Sequence, residues 1–322
     1  AGDPDAVTHE RNFSLCILLA LAYGASIGGM ATLIGSPPNG IYMRFMEQTY
    51  GQVVSIASWM KVGVPVTLLL FIVSFFVLTG LMFRNMGGSV PGGKEWVRNE
   101  LRSMGKLSTG EKAVGLCFLI AAVLWFSGAQ LRGINIDGWQ PFKYLTDAVI
   151  AMGMGIVPFL IPVDRKGTMA MDWKTANEAI SWDVLLLFGG GLSLASAIQH
   201  TGVAQLIGAQ VAVLAGSPFP VVLFGVVFIV TFATGVTSNT ALAAMMMPLL
   251  AAVANALGLP PQPILMGTAL AASAAFILPI STPPNAIVFG TGKIKIADMF
   301  RAGILINFVA IFVITGVMLL LD

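Results

Sequence analysis

The feature that most constrains this chain is a succession of long apolar runs: Phe13–Ile34, Val62–Phe83, Ala113–Phe126, Thr146–Val163, Val184–Leu214, Pro218–Gly235, Ala241–Leu257, Ile264–Ile280 and Gly303–Leu321. A membrane-crossing helix needs about 20 apolar residues, because the hydrocarbon core is about 30 Å thick and each residue rises about 1.5 Å. Runs of this length leave little sequence over for polar surface. Of 322 residues, 57% are hydrophobic and 10% charged, against about 25% charged in an average soluble domain. The fold class expected is an all-α polytopic membrane protein. With 17 basic and 15 acidic residues, there is no excess of positive charge for a nucleic-acid backbone. Cys16 and Cys117 both fall in apolar runs, so neither a disulfide framework nor a zinc site is implied.

Several of the runs are too short, or too closely followed by the next, for every one to cross alone. Pro218–Gly235 and Ala241–Leu257 are separated by only five residues, Val236–Thr240. That spacing suits a re-entrant hairpin, two half-helices meeting at a tip inside the membrane. Non-helical backbone is tolerated at that depth only where protein buries it or it lines a wet cavity. Two further breaks share a motif, Gly35-Ser36-Pro37-Pro38-Asn39 and Ser281-Thr282-Pro283-Pro284-Asn285. Proline lacks a backbone donor and clashes with the preceding turn, so a Pro-Pro pair ends a helix; it also suits the first turn of the next one. Each motif therefore predicts a helix that stops mid-membrane and restarts. The plainer readings are a ligand-free kink for each Pro-Pro pair and helix capping by Ser238 or Asn239 for the tip.

Basic residues set the expected orientation. Alternating the loops places 13 of them on one side (Arg11, Arg84, Lys94, Arg98, Arg102, Lys106, Lys112, Arg165, Lys166, Lys174, Lys293, Lys295 and Arg301). Only Lys61, Arg132 and Lys143 fall on the other, with Arg44 inside a segment. The richer side is then cytoplasmic; the chain starts there, and its C-terminus, Asp322, lies outside, in a plasma (inner) membrane. The stretch 93–112 reads either as a cytoplasmic surface helix anchored by Trp96 and Val97 or as a solvated loop. Ala1–Arg11 is polar, lacks the basic n-region of a signal peptide, and reads as a loop partway along a longer protein.

The two proline motifs lie 246 residues apart, Ser36 to Thr282. In the topology above, one broken segment (12–55) runs outward and the other (262–300) inward. That is the inverted repeat expected of a secondary transporter with a midplane site. The organisation expected is a broken helix of the first repeat at 1–57, scaffold-type helices at 58–217, a hairpin and broken helix of the second repeat at 218–300, and a last transmembrane helix at 301–322. The tip at Ser238–Thr240 precedes its proline motif by about 43 residues. Applied to the first motif, that spacing puts a matching tip before Ala1, so the chain reads as the C-terminal part of a transporter whose first hairpin is missing.

No charged residue occurs in 12–43 or 218–292. A dianion there has no Arg fork, and catalysis by paired carboxylates or histidine has no candidates, which counts against a membrane-embedded enzyme. Hydroxyls, amides and helix N-termini remain. A helix N-terminus carries free N–H groups and partial positive charge, and the helices starting at Pro37, Thr240 and Pro283 would each aim one at the cavity. Asn239 can donate to a carboxylate, and Thr240 adds a hydroxyl. Gly189–Gly191 reads as close helix packing, Met245–Met247 as core, His200 as a helix-break hydrogen bonder, and Asp183 as a helix-start acid.

The tip TSNTALAAMMMPL (237–249), the breaks GSPPN (35–39) and STPPNAIVFG (281–290), and LLLFGGGLSLASAIQHTG (185–202) together resemble the divalent anion/sodium symporter family, the INDY-type dicarboxylate and citrate transporters. The likeness runs from about Phe13 to Leu321. The family normally has two SNT tips, and this sequence has one. The resemblance implies substrate carboxylates at Ser36-Pro37, Asn239-Thr240 and Thr282-Pro283, with Pro38, Asn39, Ser238, Pro284 and Asn285 supporting the motifs. It implies co-transported Na+ among Thr234, Thr237, Asn239 and Ser281, and a second at Gly35 with the missing tip. Ser281 stands where a small apolar residue is expected. The function expected is sodium-coupled symport of di- or tricarboxylates by alternating access in a homodimer within the lipid bilayer. A sodium-independent dicarboxylate exchanger and a sulfate carrier are alternatives of the same fold.

Overall fold

A computed structural model describes residues 4–84, 93–136, 139–165, 167–180 and 216–321, with isolated positions between 182 and 202. Most of the run Val184–Leu214, together with Asp183, Gly191, Lys166 and Asp322, lies outside the described residues. The first three helices are α1 (Pro4–Gly29), α2 (Pro37–Tyr50) and α3 (Ile56–Phe76), the last continuing into a π turn at Val77–Met82. Next come α4 (Gly93–Ser103), α5 (Thr109–Arg132), α6 (Asp147–Ile156) and α7 (Trp173–Ala179). Five more follow the incompletely described stretch: α8 (Phe219–Ala233), α9 (Asn239–Ala256), α10 (Pro261–Ser273), α11 (Pro283–Gly290) and α12 (Ile296–Leu321). Five of the described helical stretches are long and apolar enough to cross a membrane: His9–Gly29, Ile56–Met82, Thr109–Gly128, Asn239–Ala256 and Ile296–Leu321. Among the described residues, β-structure is limited to two isolated bridges, Ile136 with Trp139 and Pro162 with Met169. The chain is an all-α polytopic membrane protein.

Two compact units divide these helices. The smaller comprises residues 55–57 and 89–181. Here the surface helix expected over 93–112 is cut short at Ser103. Gly105 takes a left-handed φ of 70°, and Ser108 opens a new helix through a capping box with Glu111. Trp96, Val97 and Leu101 on α4 are all exposed. Asp172 caps helix α7, its carboxylate accepting from the Thr175 amide at 2.8 Å and hydroxyl at 3.1 Å. Those bonds hold it below the usual carboxylate range.

The larger unit, residues 1–54, 58–88 and 182–322, contains the motifs. Its polar opening, expected as a loop, is helical from Pro4, and proline fits a first turn. Both proline breaks form where expected: α1 ends at Gly29 and α2 restarts at Pro37, while α10 ends at Ser273 and α11 restarts at Pro283. The two broken segments pack crosswise, α1 on α11 and α2 on α10. The hairpin arms α8 and α9 both pack on α10, and α12 packs on α8 and α10. Helix α10 is thus central: Ile264, Leu265, Ala269, Leu270, Ala271 and Ala272 are fully buried. Large apolar side chains on the outer faces, among them Leu21, Phe75, Phe76, Phe312 and Leu320, are exposed, as suits contact with lipid.

One further helix presses on each break. On α3, Gly63 lies against the Met30 and Ala31 carbonyls, and the Trp59 indole donates to the Met30 carbonyl at 2.9 Å. The Thr67 hydroxyl donates to the Ile27 carbonyl at 3.2 Å. On α12, Gly303 lies against the backbone of Phe276 and Ile277. Asn307, fully buried, accepts from the Phe276 amide at 3.3 Å.

Candidate functional site

Each Pro-Pro start is preceded by an extended residue: Ser36 at φ −147°, ψ 138° and Thr282 at φ −144°, ψ 150°. Proline disfavours helical geometry in the residue before it, which explains the shared conformation. The third residue of each new helix is a fully buried asparagine. Asn39 Nδ2 donates to the carbonyls of Gly29 and Thr32 at 3.0 and 2.8 Å. Asn285 Nδ2 donates to those of Ala275 and Leu278 at 2.9 and 3.1 Å. The acceptors lie ten and seven residues upstream in both cases, so one amide satisfies two carbonyls freed by each break.

The hairpin tip spans Thr234 to Ser238 between α8 and α9. Ser238 caps α9 by accepting from the Ala241 amide at 3.5 Å. Asn239 Oδ1 accepts from the Thr240 amide at 2.8 Å and the Thr240 hydroxyl at 3.2 Å. That engages the Asn239 side-chain carbonyl and leaves its Nδ2 protons for another acceptor.

The tip and the first break meet at the last two residues of α10, and the second break bonds back to the tip. The Thr234 hydroxyl donates to the Ala272 carbonyl at 2.8 Å. Ser36 Oγ lies 2.9 Å from Ser273 Oγ, joining the first break to the same helix end. From the second break, the buried Ser281 hydroxyl donates to the Gly235 carbonyl at 2.7 Å. Thr234 and Ser281 therefore tie tip and second break together by one bond in each direction, and each hydroxyl oxygen keeps lone pairs after donating its proton. Thr237 stays on its own arm, donating to the Ala233 carbonyl at 2.9 Å. Gly35 packs against Gly29, where an added Cβ would come within 2.5 Å of the Gly29 carbonyl oxygen. Buried polar atoms without a hydrogen-bond partner include Thr282 Oγ1, Asn39 Oδ1 and Asn285 Oδ1.

Helix N-terminal donors are fewer than expected from the motif. Pro37, Pro38, Pro283 and Pro284 carry no N–H, and the Asn39 amide is taken by the Ser36 carbonyl at 3.1 Å. Ser36 and Thr282 are therefore the side-chain donors left at the two proline starts. The apolar recess of about 400 Å³ beside the second break, lined by Leu278, Pro279, Ile280, Ala286, Phe289 and Ile296, offers no polar anchor to an anion. No group of three or more His, Cys, Asp or Glu side chains suited to a metal ion occurs among the described residues.

Sequence reasoning missed Ser273 and Asn307. A lone amide within the 26 residues of α12 was a usable signal, because a polar side chain at membrane depth needs a partner. Ser273, in an alanine-rich run, gave none. His200 behaves as expected, its Nδ1 lying 2.8 Å from the Ser196 carbonyl oxygen.

Residues 3–321 match the family described as "Sodium:sulfate symporter transmembrane region". Among curated proteins, the chain is 38% identical to the sodium-dependent dicarboxylate transporter SdcS of Staphylococcus saprophyticus, over 94% of this chain and 58% of that protein. It is 37% identical to the protein of the same name from Staphylococcus aureus strain NCTC 8325, over 95% of this chain and 58% of that protein. The chain thus spans a little under three fifths of the length of these relatives. A match across nearly the whole chain, falling on the two breaks and the tip just described, places it in the sodium:sulfate symporter family, the divalent anion/sodium symporters.

Proposed function

We propose that the protein is a carrier that couples sodium entry to transport of di- or tricarboxylates by alternating access. The observation that carries this reading is that tip and first break bond to the C-terminal end of α10 while the second break bonds to the tip, all in sequence stretches without formal charge. A dianion at such a site needs a cation beside it. Hydroxyl and carbonyl oxygens suit Na+, a hard cation with oxygen ligands of the kind calcium and magnesium also take. Thr234, Thr237, Asn239 and Ser281 would hold one sodium, and Gly35 would contribute to a second. Asn239 Nδ2, the Thr240 hydroxyl, Ser36-Pro37 and Thr282-Pro283 would take the substrate carboxylates. The relatives named above, sodium-dependent dicarboxylate transporters, support both the ion and the substrate class.

Matching asparagine registers and crosswise packing of the broken segments support an inverted repeat, with 1–57 and 218–300 moving as transport elements against a scaffold within 58–217. The assembly we propose is a homodimer in the plasma (inner) membrane, completed by an N-terminal part carrying the second tip. Uptake of labelled succinate into proteoliposomes tests the coupling: an inward sodium gradient should accelerate it, and equal rates with and without sodium would leave an exchanger. Competition by sulfate, matching that by unlabelled succinate, would instead favour a sulfate carrier.

A further inference from the structure

The contact between Ser36 and Ser273 joins two residues 237 positions apart. Ser273 is 2% exposed, and its hydroxyl also donates to the Ala269 carbonyl one turn back, at 3.2 Å. A serine hydroxyl has one proton. With that proton on Ala269, the 2.9 Å contact is a donation from Ser36 to Ser273. Ser36 is the side-chain donor at a helix start whose first two residues, Pro37 and Pro38, have no N–H. Its counterpart at the second break, Thr282, has no partner for its hydroxyl among the described residues.

We infer that Ser273 is a positioning residue for the anion site, acting through Ser36 as a two-hydroxyl relay. Before substrate arrives, Ser273 accepts the Ser36 proton and holds that side chain in one rotamer. When a carboxylate comes within reach, the Ser36 O–H turns to it. The Ser273 O–H then turns from the Ala269 carbonyl to the Ser36 oxygen. No covalent bond is made or broken; two hydroxyl protons rotate and exchange hydrogen-bond acceptors. The Ala269 carbonyl is not orphaned, because it still accepts the intrahelical amide of Ser273. Donation into Ser36 makes its own proton a stronger donor, since hydrogen bonds in a chain polarise one another. The relay also joins first break to second, because Ser273 is the last residue of α10.

This inference rests on the proposed reading of Ser36 as a substrate contact, and a double-mutant cycle separates the two. Ser273→Ala, Ser36→Ala and the double variant are made in the complete gene product and reconstituted. Succinate KM, maximal rate and the sodium concentration for half-maximal rate are then measured. Ser273→Ala should raise the succinate KM about fivefold, the equivalent of about 1 kcal/mol for one hydrogen bond, with maximal rate and sodium dependence within twofold. The double variant should be no worse than Ser36→Ala alone, because Ser273 acts only through Ser36. Ser273→Thr, which keeps a hydroxyl, should recover most of the loss, and Ser273→Cys serves if the extra methyl prevents folding.

An unchanged KM in Ser273→Ala, with Ser36→Ala impaired, would overturn the relay and leave the site reading standing. Additive effects would also overturn it, since they would mean that Ser273 acts independently of Ser36. If neither variant alters uptake, Ser36 is no substrate contact and both readings fall.

Discussion

The paired asparagines allow a quantitative test of how the breaks are held. Replacing Asn39 or Asn285 with alanine removes two hydrogen bonds in each case, at 2.8–3.0 Å and 2.9–3.1 Å. A typical net contribution is about 1 kcal/mol per bond, and in a membrane-protein interior the average is nearer 0.6 kcal/mol. Each substitution should therefore destabilise by about 1–2 kcal/mol. The shared register makes the two losses equal within about 0.5 kcal/mol. Asn285→Asp is the sharper perturbation, because it keeps the shape but turns a carboxylate toward two carbonyls. Burial and those dipoles favour the protonated form and raise its folded-state pKa.

Stability of the Asp variant should then be highest in acid, where the carboxyl is neutral and can donate one bond. It should decline as pH rises above the unfolded value of about 4. Equilibrium unfolding in mixed micelles, followed by tryptophan fluorescence from pH 4 to 8, measures all three variants. A change below about 0.3 kcal/mol in either Ala variant, or a pH-independent deficit in the Asp variant, would refute the assignment of the amides as the groups holding the breaks.

Two other perturbations bear on packing and on binding. An alanine Cβ at Gly303 would overlap the Phe276 carbonyl, whereas one at Gly316 on the same helix meets nothing within 4 Å; Gly303→Ala should abolish recovery of folded protein in detergent and Gly316→Ala should leave it unchanged. Asn239→Ala removes the Nδ2 donor and also releases the Thr240 amide and hydroxyl from Oδ1. It should eliminate sodium-driven succinate uptake while the purified protein keeps its elution profile, and wild-type transport would mean that Asn239 serves only to shape the tip.

The breaks were legible in the sequence because proline acts through its own covalent geometry, so Pro37-Pro38 and Pro283-Pro284 mark their positions whatever surrounds them. The tip was legible for a related reason: Ser238 caps its own helix, and Asn239 bonds its own neighbour. The absence of charge around the site was likewise a direct reading. What the sequence hid depends on distant partners. Ser273 matters because Ser36, 237 residues earlier, meets it. Gly303 matters because the backbone of Phe276 presses on it. The surface helix ended early at Ser103 because Gly105 adopts a left-handed conformation, which a glycine permits without requiring.

The likeness between the two broken segments extends one helix further than the proline motif. Gly63 and Thr67 on α3 stand 240 residues before Gly303 and Asn307 on α12, and each pair presses on the corresponding break. The stretches themselves, GVPVT and GILIN, share only the glycine and the spacing. That is what the contact demands: a residue without Cβ where two backbones meet, and a polar side chain one turn later on the same face. The polar residue differs because the group it must satisfy differs. At the first break the Ile27 carbonyl is an acceptor, and a threonine hydroxyl supplies the proton. At the second, the Phe276 amide is a donor, so an acceptor is required; asparagine provides one through Oδ1 while its Nδ2 reaches the Thr231 carbonyl at 3.4 Å. The second amide contact ties break to hairpin arm, a link that threonine at position 67 does not make on its side. The likeness between the two segments therefore persists in hydrogen-bond logic where residue identity differs, and a search for it by identity stops at the prolines.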